Sequence, residues 1–193
     1  MTHWFNIVPL LFVFVACTLF LISSKKSIVF VCVALIMIAE FIIDIQFGSL
    51  PSALVRLVAS LSALLAIFLS MKNINLDYPT VTRNAALFKI IAYVMFASLS
   101  VLLGMKISSF LQIPVEITMG GMLAIFCGLL LLGISTFPSK VIVGIIILYE
   151  GFATIYGIVE SSLLVNGLIS AVLLLLGGLG TYFAVREITI EKE

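Results

Sequence analysis

Residues 141–159 read VIVGIIILYEGFATIYGIV, with one charged side chain, Glu150, at the tenth of nineteen positions. An α-helix rises about 1.5 Å per residue, so about 20 apolar residues cross the roughly 30 Å hydrocarbon core of a bilayer. This stretch therefore has the length of a membrane-spanning helix and holds a carboxylate near the bilayer midplane. A charge at that depth costs on the order of 2.5–3.5 kcal/mol on insertion scales, so it calls for a reason.

Working outward, the rest of the chain has the same character. Of its 193 residues, 63% are hydrophobic and only 10% are charged. A soluble domain carries about 25% charged residues. Seven apolar runs are long enough to cross, at about 4–23, 28–47, 52–71, 87–105, 117–136, 141–159 and 163–184. The breaks between them carry turn chemistry: Lys25-Lys26, Gly48-Ser49-Leu50-Pro51, the polar stretch from Lys72 to Asn84, Lys106 to Pro114, Phe137-Pro138-Ser139-Lys140, and Glu160-Ser161-Ser162. The pattern predicts an all-α, polytopic transmembrane bundle of seven spans forming a single domain over 1–193, without a soluble domain.

Lys25, Lys26, Lys72, Arg83, Lys89, Lys140, Arg186 and Lys192 fall on one side of that arrangement, and only Arg56 and Lys106 on the other. The positive-inside rule then places the N-terminus outside and the C-terminus in the cytoplasm, in the inner (cytoplasmic) membrane of a cell. The run from Trp4 to Ser23 has no basic leader and no small-residue cleavage site, so it is expected to be a first helix rather than a removed signal.

A net charge of +1 gives no field to attract nucleic acid. Cys17, Cys32 and Cys127 lie apart in apolar runs and read as small buried hydrophobes. With a single histidine, His3, at the interface, neither a metal nor a haem site is expected in this chain, and no cofactor or catalytic chemistry of its own.

The intramembrane charges are the candidate functional residues. Glu150 is expected to stand without a cationic partner and to serve as a proton-relay carboxylate, or else as interhelical hydrogen-bonding glue. Gly151 beside it would let a neighbouring helix approach closely. Glu40 and Asp44 are one turn apart and share a face. Asp44 and Arg56 flank a tight hairpin at matched depth and are expected to form a structural ion pair. Glu40, a turn deeper, is a second relay candidate. Glu160 is expected at the boundary, Lys89 and Lys106 to snorkel from the fourth span, and Gly177, Gly178 and Gly180 to mark a helix-packing patch.

Gly128-Leu129-Leu130-Leu131-Leu132-Gly133, the turn ending in Lys140, and Gly144 running to Glu150-Gly151 resemble the core of complex I subunit K and its longer relative, component E of hydrogenase-4. Phe20 to Ser27 is similar to that family's first cytoplasmic turn, and Met71-Lys72-Asn73-Ile74 to the end of its third helix. The resemblance implies a non-catalytic subunit of a multisubunit, ion-translocating redox complex, of the membrane-bound hydrogenase or NADH dehydrogenase type. It would bridge other membrane subunits, with iron–sulfur or nickel–iron centres in those partners, and Glu150 as its proton-relay carboxylate. Two departures stand out. The last span offers Asn166, Ser170 and Thr181 where the family often has an acid, and the third span has Ala59, with Arg56 nearby, where the family can have a lysine. A stand-alone secondary transporter and a purely structural assembly subunit are the alternative readings.

Overall fold

In a computed structural model, residues 10–19, 23, 25–71, 82–135, 137–160 and 162–190 are described, the side chains of Lys26 and of 187–190 excepted. Among them are seven helices and no strand: α1 (Leu10–Leu19), α2 (Lys26–Phe47), α3 (Leu50–Met71), α4 (Arg83–Leu111), α5 (Val115–Ile134), α6 (Pro138–Val159) and α7 (Leu163–Ile190). Six of these, α2 to α7, are long and apolar enough to cross a membrane, so the chain is built as a multi-pass membrane protein. Helix α1 covers part of the predicted first span. The rest of that span, His3, most of the Lys72–Asn84 break, Ser161 and Lys192 lie outside the described residues.

The helix ends follow local chemistry. Gly48 and Ser49 alone separate α2 from α3, and the Gly48 N–H donates to Asp44 O at 2.7 Å. Pro51 sits in the first turn of α3, where a missing N–H costs nothing. Pro138 opens α6 in the same way. The fourth helix runs to Leu111, past the predicted end at 105. Lys106 does not break it, because Lys106 to Leu111 contains no residue that ends a helix. The chain turns only at Gln112, in the left-handed region at φ 56°, just before Pro114. Ser108 Oγ donates to Ile113 O at 2.7 Å and fastens this turn.

Helix α6 is central. It packs most heavily on α5, then on α7, and also meets α2; α3 and α7 form the second major pair, and α4 lies outside α5. The α5–α6 seam is glycine against glycine. A Cβ at Gly121 would stand 2.7 Å from Gly151 O, and one at Gly128 only 2.5 Å from Gly144 O. The two glycines of each helix are seven residues apart, so an antiparallel pair brings backbone onto backbone at both levels. Without a hydrophobic drive between helices in lipid, such close van der Waals contact is what holds them. Of the last-span glycines, Gly177 abuts Ala63 and Gly180 abuts Ile67 and Ile142, while Gly178 faces open space. Two of the three thus serve packing against the neighbouring helices.

Candidate functional site: a buried arginine among three carboxylates

Four helices contribute polar side chains to one half of the bundle. Glu40 and Asp44 come from α2, Arg56 and Ser60 from α3, Glu150 and Thr154 from α6, and Asn166 and Ser170 from α7. All eight are at most 7% exposed. Each pair is four residues apart, which puts both members on one helix face.

Arg56 organises the group. Its Nη2 lies 2.5 Å from Asp44 Oδ2 and donates to Thr154 Oγ1 at 2.8 Å. Its Nε lies 3.4 Å from Glu150 Oε2. Thr154 Oγ1 passes the polarity on by donating to Glu150 O at 3.0 Å, and Ser60 Oγ donates to Arg56 O at 2.5 Å. One guanidinium therefore ties α2, α3 and α6 together.

This geometry corrects the expectation that Glu150 stands without a cation. Two things bring Arg56 within reach. Helix α3 begins at Leu50 rather than 52, which sets Arg56 two positions further into the span. Its side chain is also long enough to carry charge well past its own Cα, as snorkelling arginines do in the opposite direction. Depth judged by position along the helix misses both.

Glu40 is the carboxylate left over. It is 1% exposed, and neither of its carboxylate oxygens has a hydrogen-bond partner among the described residues; the same holds for Oε1 of Glu150. Glu40 nevertheless lies within electrostatic range of Glu150, Arg56 and Asp44. Buried polar atoms without partners are costly and uncommon, and where they persist they mark a strained or functional position. The three carboxylates are not a metal cage: among the described residues no group of three His, Cys, Asp or Glu side chains gathers to hold an ion.

Sequence reading did not single out Thr154, Ser60 or Gly157 for the site. The signal was present for the first two, since Thr154 is four residues after Glu150 and Ser60 four after Arg56. Gly157 borders the site because a Cβ there would meet Asn166 Oδ1 at 3.0 Å and Arg56 Nη1 at 3.7 Å. The remaining charged candidates stand apart. Lys89 and Lys106 lie on α4, and Glu160 caps the end of α6, where its Oε1 accepts from the Ser162 N–H at 3.3 Å.

The cysteines occupy the core. Cys17, Cys32 and Cys127 are free and buried. Tyr93 of α4 joins α1 to the bundle: its hydroxyl donates to Phe14 O at 3.2 Å, and the two rings sit 5.3 Å apart.

No family model, curated protein or solved structure matches the chain, so its function is argued from this site.

Proposed function

We propose that the chain is a non-catalytic membrane subunit of an ion-translocating redox complex of the hydrogenase-4 or complex I type, and that Glu40 and Glu150 pass protons within it. The observation that carries this reading is the pair of intramembrane carboxylates with unpartnered oxygens beside a single guanidinium. Three carboxylates around one cation leave two negative charges uncompensated if all ionise, which a low-dielectric interior opposes strongly. A proton shared among them relieves this, and Arg56, which reaches both Asp44 and Glu150, compensates whichever of the two stays ionised. Such a set takes up and releases protons within a membrane.

The subunit reading also draws on the apolar surface. Helix α4 is mostly unburied within this chain, and among the described residues no soluble domain accompanies the helices. Any redox chemistry would come from neighbouring subunits. In this reading the chain has seven spans, with its N-terminus outside and its C-terminus in the cytoplasm of a cell whose inner membrane holds the complex.

The test is proton movement coupled to electron transfer in membrane vesicles, together with the identity of proteins that co-purify in mild detergent. Glu150→Gln is expected to leave assembly intact and to impair coupling. Normal coupling in that variant removes the relay role, and purification of a lone chain removes the subunit role.

A further inference from the structure

The four helices that build the site change character at the same level. Along α2 the buried face runs Asp44, Glu40, then Ile36 and Val33. Along α3 it runs Arg56, Ser60, then Ala63 and Ile67. Along α6 it runs Thr154, Glu150, then Ile146 and Val143, and along α7 Asn166, Ser170, then Leu173. The polar half is the one that ends in the α2–α3 and α6–α7 turns. The next turns of each face are aliphatic and nearly closed to solvent, with Ile36, Val33, Ile67, Ile146 and Leu173 all at most 1% exposed; the far end of the α6 face carries a polar residue again, Ser139, itself fully buried.

A narrow cleft opens into the polar half. It is lined by Asp44, Gly48, Ser52, Ala53, Arg56 and Gly157, with Asn166 beside them, and holds about 10 Å³, close to the room one water needs. Gly48 is exposed and Ser52 half-buried, so its rim lies at the end of the bundle, while Asp44 and Arg56 form its floor. Gly157 keeps it open, since a Cβ there would enter the space between Asn166 and Arg56.

We propose that this cleft is a one-sided water port, through which the carboxylate cluster exchanges protons only with the compartment that the α2–α3 turn faces. The use of the port for protons rests on the relay reading above; the one-sided access does not. A hydronium at the rim transfers one proton to Asp44 and leaves as water. Asp44 then releases its hold on Arg56, which turns to Glu150. The apolar half blocks the opposite route, so protons reaching Glu40 or Glu150 from elsewhere arrive sideways, from a partner in the membrane.

The experiment uses the full chain in oriented membrane vesicles. The probe is silver ion, which binds thiols and is no larger than water. Wild type gives the background, because its three cysteines are buried. Ser52→Cys at the rim, labelled with a bulky impermeant maleimide, identifies the side the turn faces. Ala53→Cys is expected to be blocked by silver about tenfold faster from that side than from the other, and Gly157→Ala in the same chain to slow this block by a similar factor, because a cavity below the size of one water stays dry. Ile36→Cys is expected to be blocked from neither side. Silver reaching Ile36→Cys from the opposite side overturns the proposal. So does equal block of Ala53→Cys from both sides, or a rate unchanged by Gly157→Ala. Normal coupling in Glu150→Gln would sink the relay while leaving these silver results as they are, so the two failures are distinguishable.

Discussion

Helix α6 has two working faces, and they hold their neighbours by opposite means. Towards α5 it presents Gly144 and Gly151, and the backbones touch with no polar side chain between them. Towards α2 and α3 it presents Glu150 and Thr154, and a guanidinium fills the gap. The first seam is apolar and close-packed, backbone against backbone. The second is charged, contains unpartnered oxygens, and offers Arg56 more than one partner. A membrane protein that moves charge needs both: a rigid surface to keep a helix in register and a polar surface whose pairings can change.

The sharpest way to break the charged seam is Arg56→Met. It strands Asp44 and Glu150 without a cation, and breaking a buried pair by removing one partner costs about 3–5 kcal/mol. Thermal unfolding in detergent should show a large fall in Tm, and adding Asp44→Asn to Arg56→Met should restore part of it, because one of the two stranded charges goes too. If the double variant is as unstable as the single, the guanidinium holds the helices by packing rather than by charge.

The glycine seam should break almost as badly under a smaller chemical change. Gly128→Val adds a Cβ that would stand only 2.5 Å from Gly144 O and two methyl groups beyond it, and overpacking of this kind costs about 1–3 kcal/mol or more. The same substitution at Gly178, which faces open space, is expected to change Tm little. Equal effects at the two positions would mean that the α5–α6 contact is not the close one.

Thr154→Val should sharpen the comparison with a modest loss. It removes one acceptor for Arg56 and keeps the shape, and intramembrane side-chain hydrogen bonds average about 0.6 kcal/mol. A double-mutant cycle with Arg56 measures the coupling directly, and a null coupling energy would show that Thr154 is a bystander.

The smallest stability effect is expected at Glu40, and there stability and function should part. Glu40→Gln removes no observed hydrogen bond, so stability is expected to stay within about 0.5 kcal/mol of wild type or to rise. On the proposed relay, proton coupling should fall as expected for Glu150→Gln. A large loss of stability would instead make Glu40 a structural residue.

Much of the architecture was legible along the chain. Apolar runs separated by Pro, Gly and charge located the six long helices, with the far ends of α4 and α7 each six residues short, because helix length in a membrane is set by bilayer thickness and the breaks are chemical. The end of α4 was misplaced, since Lys106 reads as an interruption yet a lysine is a good helix former that continues the turn. Glu150 stood out because a lone charge in nineteen apolar positions has no local explanation.

What the sequence determined by itself was therefore one-dimensional: which segments are membrane helices, which charges lie inside them, and that Glu40 and Asp44 share a face. Only the tertiary structure decided who meets whom. Arg56 and Glu150 are far apart in sequence, and their contact depends on α2 and α7 each packing on both α3 and α6, and on a side chain that reaches beyond its own Cα. The same packing left Glu40 without a hydrogen-bond partner among the described residues, and it aligned the polar stretches of α2, α3, α6 and α7 in one half of the bundle. Periodicity assigns a residue to a face of its own helix, but the neighbour across that face is set by helix packing, which no local pattern encodes.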